Sequence, residues 1–396
     1  MAVGMKNFRL CDKIKRKKIY GENFMTKRIY SLDVLRGLAI SIMLFLDGPP
    51  DKIFSILEHP AWAGLTIPDI ALPMFAFAMG AGAAISMSKR EPPVKKILKR
   101  TALMFLIGVL LEMEPFILLM IFDVDFTTAD FFDKVFVHGR LFGIIQRLAI
   151  TYALGIFIAR AVKNNFGILV AAFVLLIVSS AGYHIYAPDN PFDEAHNISQ
   201  AVDYIFPGVN HIYRPTHDPE GLYGCLAGTA SVLFGFIAGK IFVDQSSTVQ
   251  QKISIFCKAG IILLIVGGVW SNFDIITKKL WTTPYALINA GLDFILLALF
   301  MKIFDASPTA KKFSQPFGAL GINPLFFFVM NNAILTLLYV LPDGKNFGGL
   351  YLQLYYNTTQ GLISTEFGAT LFCAIWALMW LPICEFFYRR GIIIKI

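Results

Sequence analysis

Long apolar runs separated by short polar segments form the main pattern of this chain. Each run is about 20 residues long, the length at which a helix crosses the roughly 30 Å hydrocarbon core of a bilayer. Backbone polar groups in lipid need partners inside the protein, so the runs predict helices rather than the short alternating strands of a barrel. We place ten spans at residues 31–48, 66–88, 97–122, 141–162, 165–187, 221–243, 254–272, 281–304, 316–341 and 363–388.

Two segments depart from this regular pattern. The third run contains Glu112, Glu114 and Pro115, and we expect a kink or break there because proline removes a helical hydrogen bond. The longest connection, about residues 188–220, is too short for a domain but long enough to cover a site. The pattern thus predicts an all-α transmembrane bundle without a soluble domain.

Basic residues are concentrated in alternate loops and at both ends of the chain. Short loops rich in lysine and arginine stay in the cytoplasm. The basic loops follow spans two, four, six and eight, and their main residues are Lys89, Arg90, Lys95, Lys96, Lys99, Arg100, Arg160, Lys163, Lys240, Lys252, Lys302, Lys311 and Lys312. The opposite loops are mainly acidic, apart from the one with Lys278 and Lys279. Both termini are therefore expected in the cytoplasm.

Composition supports a membrane protein, since 56% of the 396 residues are hydrophobic and only 16% are charged, against about 25% charged in soluble domains. The net charge of +8 is explained by the basic residues in alternate loops. We therefore expect membrane lipids and no nucleic acid as partners. The five cysteines form no CxxC pair, and we expect no metal site. We divide the chain into a basic cytoplasmic tail (1–30), starting at Met1 or Met25, and a transmembrane domain (31–390).

The first candidate site lies between the first two spans. His59 sits in a predicted external loop between two carboxylates, Asp47 and Asp69. A histidine can accept or donate a proton near neutral pH, and a carboxylate can fix its tautomer and raise its basicity. An ordinary interfacial loop, with Trp62 as a membrane anchor, is the simpler interpretation of this spacing.

Three further clusters carry polar groups at span ends. Arg147, next to Gln146, lies too deep for full solvation and should face a cavity or a carboxylate such as Asp69 or Glu220. Asp218 and Glu220 precede a helix, where they either cap it or form the rim of an acceptor site. Arg36 can pair with Asp33 or bind a phosphate arriving from the cytoplasm. Asn323 is expected to hydrogen-bond between helices.

Six stretches, in this order, resemble the heparan-α-glucosaminide N-acetyltransferase family of transmembrane acetyltransferases. They are Ser31–Gly37, His59–Asp69, Gly143–Arg147, Asp218–Leu222, Leu280–Tyr285 and Gly318–Asn323. Each is weak alone, but the ordered set is fairly specific. The resemblance implies transfer of an acetyl group from cytosolic acetyl-CoA to an amino sugar, or another glycan acceptor, across the membrane.

The resemblance also implies roles for individual residues. The family's active-site histidine falls in the stretch matching His59, which Asp47 or Asp69 would orient. Gln146, Arg147 or Asn323 could stabilise developing negative charge, and Trp62, Asp218 and Glu220 would complete the acceptor site. Arg36 could hold the CoA phosphates. No metal is required.

The chain departs from the animal members of this family. We expect neither their luminal N-terminal domain nor their additional leading span, and Asp47 stands where they have asparagine. We therefore expect a multi-pass protein of the bacterial cytoplasmic membrane, with heparan sulfate an unlikely natural acceptor. A homodimer is compatible with the sequence. A transporter or flippase of a sugar- or lipid-linked substrate and an envelope scaffold remain alternative functions.

Overall fold

The computed structural model describes residues 29–305, 308–342 and 348–394. Within these ranges the chain is entirely helical and without strands, which confirms the predicted all-α class. The basic tail, including Cys11 and Met25, and the basic Lys395 lie outside the described residues. The orientation of the termini stays a prediction.

Fifteen helices are present in the described part of the chain. They are α1 (Tyr30–Leu46), α2 (Ala71–Lys89), α3 (Val94–Phe122), α4 (Thr128–Phe132), α5 (Ile144–Val162), α6 (Asn165–Tyr186), α7 (Ile198–Ile205), α8 (Cys225–Val243), α9 (Val249–Trp270), α10 (Thr283–Phe300), α11 (Pro308–Phe313), α12 (Gln315–Ile322), α13 (Pro324–Val340), α14 (Gly349–Thr358) and α15 (Thr365–Arg390). Short 3₁₀ turns at Ser55–Leu57, Ile67–Ile70 and Val209–His211, and π turns at Asp133–Val137 and Met301–Asp305, complete the elements.

The helices account for the predicted spans. Eight of the described helices are long and apolar enough to cross a membrane, and the bent pair α12–α13 raises the number to nine. Helix α1, with 17 residues, occupies the first predicted span. The described part of the chain thus forms a polytopic bundle with eight or nine candidate crossings, and α1 is a further, shorter apolar helix.

The span that is interrupted in the structure is not the one in which we expected a kink or break. Helix α3 continues through Pro115 from Val94 to Phe122, so the third span is not broken there. The ninth span is broken instead, because α12 and α13 meet at Asn323 with a bend of 85°. Asn323 precedes Pro324, and a residue before proline is pushed out of the helical conformation.

Helix α2 lies at the centre of the bundle and packs closely on α8. A Cβ atom on Gly80 would lie 2.0 Å from the Val232 carbonyl oxygen, and one on Gly235 would lie 1.9 Å from that of Phe77. Only glycine permits this approach, which is typical of helix packing in membranes. Because Asp69 immediately precedes α2, this tight pair fixes one wall of the site.

Candidate active site

A cavity of about 230 Å³ opens at the end of the bundle where α1 ends and α2 begins, the predicted external end. Four segments form its walls: the α1–α2 loop, the segment before α5, the segment before α8 and the α9–α10 loop. The lining residues are His59, Pro60, Trp62, Gly64, Asp69, Arg140, Tyr213, Arg214, His217, Pro219, Glu220, Thr277, Lys278 and Lys279. Polar and charged side chains therefore converge from segments far apart in sequence.

His59 and Asp69 form a hydrogen-bonded pair at this cavity. The imidazole Nδ1 lies 2.6 Å from Oδ1 of Asp69, whose side chain is only 1% exposed, whereas that of His59 is 48% exposed. When a neutral imidazole donates its Nδ1 proton to a carboxylate, Nε2 keeps its lone pair. In that tautomer the pair presents an acceptor nitrogen to the cavity.

The local fold holds Asp69 rigidly. Its Oδ2 accepts a hydrogen bond from the Thr66 backbone N–H at 3.0 Å, and Thr66 Oγ1 donates to the Glu58 carbonyl at 2.7 Å. This is a capping box on the 3₁₀ turn that leads into α2. From α10, Tyr285 donates its hydroxyl proton to the Asp69 carbonyl at 2.6 Å. The orientation of the imidazole is therefore set by three elements.

Asp47 lies near this pair but has a different partner. Its Oδ2 accepts a hydrogen bond from Asn331 Nδ2 at 3.2 Å. The Asn331 Oδ1 in turn accepts from the indole N–H groups of Trp376 and Trp380, at 2.8 and 3.1 Å. Of the two carboxylates expected beside His59, only Asp69 makes the hydrogen bond.

Asp218 and Glu220 are held by Arg140, a residue that sequence reasoning missed. The Arg140 guanidinium lies 2.7 Å from Asp218 Oδ1 and 2.5 Å from Glu220 Oε2. Burial raises the pKa of Glu220, but Arg140 and Arg147 outweigh it, and the pKa falls below its usual value. Burial also opposes the charge of Arg140, yet the two carboxylates raise its pKa above the usual range. The three side chains form an ionic cluster, and Glu112 lies 3.7 Å from the same guanidinium.

Arg147 and Gln146 lie behind the cavity wall rather than on its surface. Arg147 is 1% exposed. It donates to the Gly221 carbonyl at 3.1 Å and lies over the Trp281 ring at 5.2 Å. Its Nε and Nη1 have no hydrogen-bond partner. Gln146 donates to the Leu141 carbonyl. Of the carboxylates that we expected beside Arg147, Glu220 pairs with Arg140 and Asp69 pairs with His59.

Trp62 lines the cavity with its ring edge-on to His217 at 5.1 Å. Its indole N–H donates to the Phe192 carbonyl at 2.9 Å, in the long loop before α7. Lys279 Nζ lies 5.6 Å above the ring. Trp62 therefore joins the α1–α2 loop to the segment that was expected to cover the site.

Lys278 is the second cavity residue that sequence reasoning missed. Its Nζ lies 3.4 Å from Nε2 of His59. Burial lowers the pKa of Lys278, although Glu220 and Asp69 act in the opposite direction. Lys278 and Lys279 were visible in the sequence as the exception to the charge pattern of the loops. Their departure from the charge pattern was the sequence feature that could have identified them as cavity residues.

A second cavity, of about 270 Å³, lies further along α2 and is lined by Arg36, Arg100, Asn323 and residues of α2 from Phe75 to Ala83. Six residues separate Asp69 from Phe75, or about 9 Å of helix. Arg36 donates to Asp33 at 2.9 Å. Asn323 binds the chain end through Ile392 and Ile394, so it lies with Arg36 and away from His59. The two cavities occupy opposite ends of one central helix.

Among the described residues no group of three or more His, Cys, Asp and Glu side chains is arranged to hold a metal ion. The described site contains an imidazole, carboxylates and several basic side chains.

Comparison with known proteins identifies relatives of one kind. The heparan-alpha-glucosaminide N-acetyltransferase of Mus musculus is 24% identical over 362 residues, covering 76% of this chain and 53% of the relative. The Homo sapiens protein of the same name is 23% identical, covering 76% of this chain and 52% of the relative. The chain thus spans about half the length of the curated relatives it matches. The catalytic family model of heparan-alpha-glucosaminide N-acetyltransferase matches residues 28–192, which include His59 and Asp69, and the family resemblance indicated by the sequence motifs is confirmed.

Proposed function

We propose that this protein is a transmembrane acyltransferase, which moves an acetyl group from acetyl-CoA to an amino sugar or other glycan acceptor on the extracytoplasmic side. The observation that carries the proposal is the His59–Asp69 pair, whose Nε2 faces a cavity. A histidine with an oriented tautomer is suited to acyl transfer, either as nucleophile or as general base. The named relatives are acetyltransferases, and this supports the same class of chemistry.

The second cavity is a suitable binding site for the donor. Arg36 and Arg100 line it, and both can bind phosphate. Nε of Arg100 is buried without a hydrogen-bond partner, while Nη1 donates to the Tyr152 hydroxyl at 3.3 Å. The apolar wall includes Met79 and Met104, which suit a flexible thioester arm. By the charge pattern of the loops, this cavity faces the cytoplasm.

Two routes of transfer are chemically balanced at this site. In the covalent route, His59 Nε2 attacks the thioester carbonyl carbon, the C–S bond breaks and CoA leaves as its thiolate. The acceptor amine then attacks this carbon, the bond to Nε2 breaks, and the surplus amine proton passes to water. In the direct route, Nε2 takes the proton of the amine as that amine attacks the thioester carbonyl carbon. The C–S bond breaks, and CoA leaves as its thiolate. Asp69 holds the imidazole in both routes.

The cavity walls indicate how an acceptor would be held. Trp62 offers an aromatic face of the kind that packs against sugar rings. Asp218 and Glu220 are both engaged by Arg140, so we assign them to shaping the wall rather than to binding a cation. Asp47 is assigned to holding the α1 end against α13 through Asn331.

The test is acetyl transfer by purified protein in nanodiscs, with radiolabelled acetyl-CoA and a panel of amino sugars. We expect His59→Ala to abolish transfer. The matched control is His138→Ala, because His138 forms a similar pair with Asp133 at 3.0 Å and does not line the cavity. Full activity of His59→Ala would overturn the proposed mechanism. Acetyl-histidine at position 59 after acetyl-CoA alone would favour the covalent route.

A transporter is the second candidate, and the broken pair α12–α13 is the observation in its favour. Interrupted helices form substrate sites in many transporters, usually in corresponding positions of two repeats. Within the described chain one such pair is found, without a counterpart. Sugar counterflow in liposomes that lack acetyl-CoA would support transport over acyl transfer.

A further inference from the structure

The proposed reaction requires a donor for the oxygen that becomes negative when the thioester carbonyl is attacked. Gln146, Arg147 and Asn323 were the sequence-based candidates for this role. None of them lines the cavity of His59, and Asn323 lines the other cavity. A different group must therefore supply the positive charge.

We propose that Lys278 is the catalytic residue that stabilises this oxyanion; the inference rests on the proposed acyltransferase function. Its Nζ lies 3.4 Å from His59 Nε2, the nitrogen at which the reaction occurs in either route. An oxyanion on a carbon bonded to Nε2 lies between two and three ångströms from that nitrogen. The ammonium group is thus within hydrogen-bond reach of it.

The backbone around Lys278 is fixed from both sides. Thr277 Oγ1 donates to the Trp62 carbonyl at 2.5 Å, and the Gly64 N–H donates to the Ile276 carbonyl at 2.7 Å. Asp274, earlier in this loop, accepts hydrogen bonds from Ser180 and Trp270, at 3.0 Å each. Such a loop presents the lysine with little reorganisation, as electrostatic catalysis requires.

The charges around Lys278 suit this role. Asp69 and Glu220 lie close enough to favour its charged form, and burial works against them. Both carboxylates are already engaged, Asp69 with His59 and Glu220 with Arg140. The ammonium group therefore keeps hydrogen-bonding capacity for a substrate oxygen.

The test measures kcat and KM for acetyl-CoA and for an amino-sugar acceptor in Lys278→Met and Lys278→Arg. We expect kcat of Lys278→Met to fall about 10²-fold, with the KM for acetyl-CoA nearly unchanged. Lys278→Arg should recover part of the loss, because a guanidinium also donates to an oxyanion. Lys134→Met, an exposed lysine outside the cavity, is the matched control.

The outcomes separate this inference from the function on which it rests. A wild-type protein without transferase activity would overturn both. An active wild type with an equally active Lys278→Met would overturn the role of Lys278 alone. A loss that appears only as raised KM, together with a lowered melting temperature, would indicate a structural role for the loop and would also overturn it.

Discussion

At the residue scale, the neighbours of each histidine, rather than its exposure, distinguish one His–Asp pair from the others. His138–Asp133 and His184–Asp274 have N–O distances of 3.0 and 2.9 Å. Neither lines the cavities described above, whereas His59 does. The pairing geometry is common to all three, and the convergence of cations around His59 is what makes that pair a candidate for catalysis.

Replacing Arg140 should lower the stability of the protein by an amount that depends on pH. Arg140→Met leaves Asp218 and Glu220 buried without their cation, and we expect a loss of about 3–5 kcal/mol near pH 7. In the wild type the pKa of Glu220 is lowered. Its contribution to stability is therefore present above the ordinary pKa of glutamate, about 4.3, and is lost as the pH falls through the folded-state pKa.

In Arg140→Met, the ionised Glu220 should destabilise the folded protein instead of stabilising it. Arg140 is the first of the cations that oppose the effect of burial, so its loss should raise the pKa of Glu220 relative to the wild type. The penalty is therefore largest where an unfolded glutamate is ionised. We expect the difference in melting temperature between wild type and Arg140→Met to be larger at pH 7 than at pH 4. Arg160→Met is the control, because its partner Glu91 is exposed and such pairs contribute little. A difference independent of pH would contradict the ionic account.

At the element scale, the apolar runs predicted the helices well because hydrophobic length is a local property of the sequence. The position of the helix break, in contrast, could not be predicted from the local sequence. Pro115 and Pro382 lie inside continuous helices, whereas the chain bends at Asn323. Asn323 is also tied to the chain end at Ile392 and Ile394. Tertiary contacts, absent from any window of sequence, accompany the bend.

The site was predictable to the extent that its residues are close along the chain. His59 and Asp69 are ten residues apart and lie on one loop and turn. The hydrogen bond of Asp47 could not be predicted from the sequence, because its partner, Asn331, is 284 residues away. Arg147 attracted attention as a charge within an apolar run, whereas Arg140, in a loop, resembled an ordinary solvated arginine. Only the fold shows which of them meets the carboxylates.

Close packing of α2 on α8 predicts a strong position dependence for glycine substitutions. In Gly235→Ala the new methyl group would lie 1.9 Å from the Phe77 carbonyl oxygen, so the two helices must separate. We expect a loss of at least 1–3 kcal/mol, measured as a lower melting temperature in detergent.

The matched control for this substitution is Gly268→Ala in α9. A Cβ atom there meets nothing within 4 Å, and alanine is the better helix former by up to about 1 kcal/mol. Its melting temperature should stay the same or rise. Equal losses in the two variants would show that the α2–α8 contact is not special, and that glycine acts only through helix propensity.

At the scale of the whole molecule, one helix joins two chemically different cavities. The His59 cavity is bordered by Asp69, just before α2, and the Arg36 cavity by α2 residues from Phe75 to Ala83. Asp69 and Phe75 are separated by about 9 Å along the helix axis. This arrangement predicts that donor binding and acceptor binding can be changed independently.

A substitution of Arg100 tests whether donor binding can be changed without changing acceptor binding. Removing one phosphate-binding charge in Arg100→Gln should raise the KM for acetyl-CoA about tenfold, the equivalent of about 1.4 kcal/mol. The KM for the acceptor should stay constant, because Arg100 lines only the second cavity. Acetyl-pantetheine, a donor without these phosphates, should be used equally well by wild type and variant. Arg160→Gln is the control, since its guanidinium is engaged with Glu91 and the Pro92 carbonyl. A parallel rise in both KM values would mean that donor and acceptor share one cavity, and the separation of the two ends of α2 would lose its functional meaning.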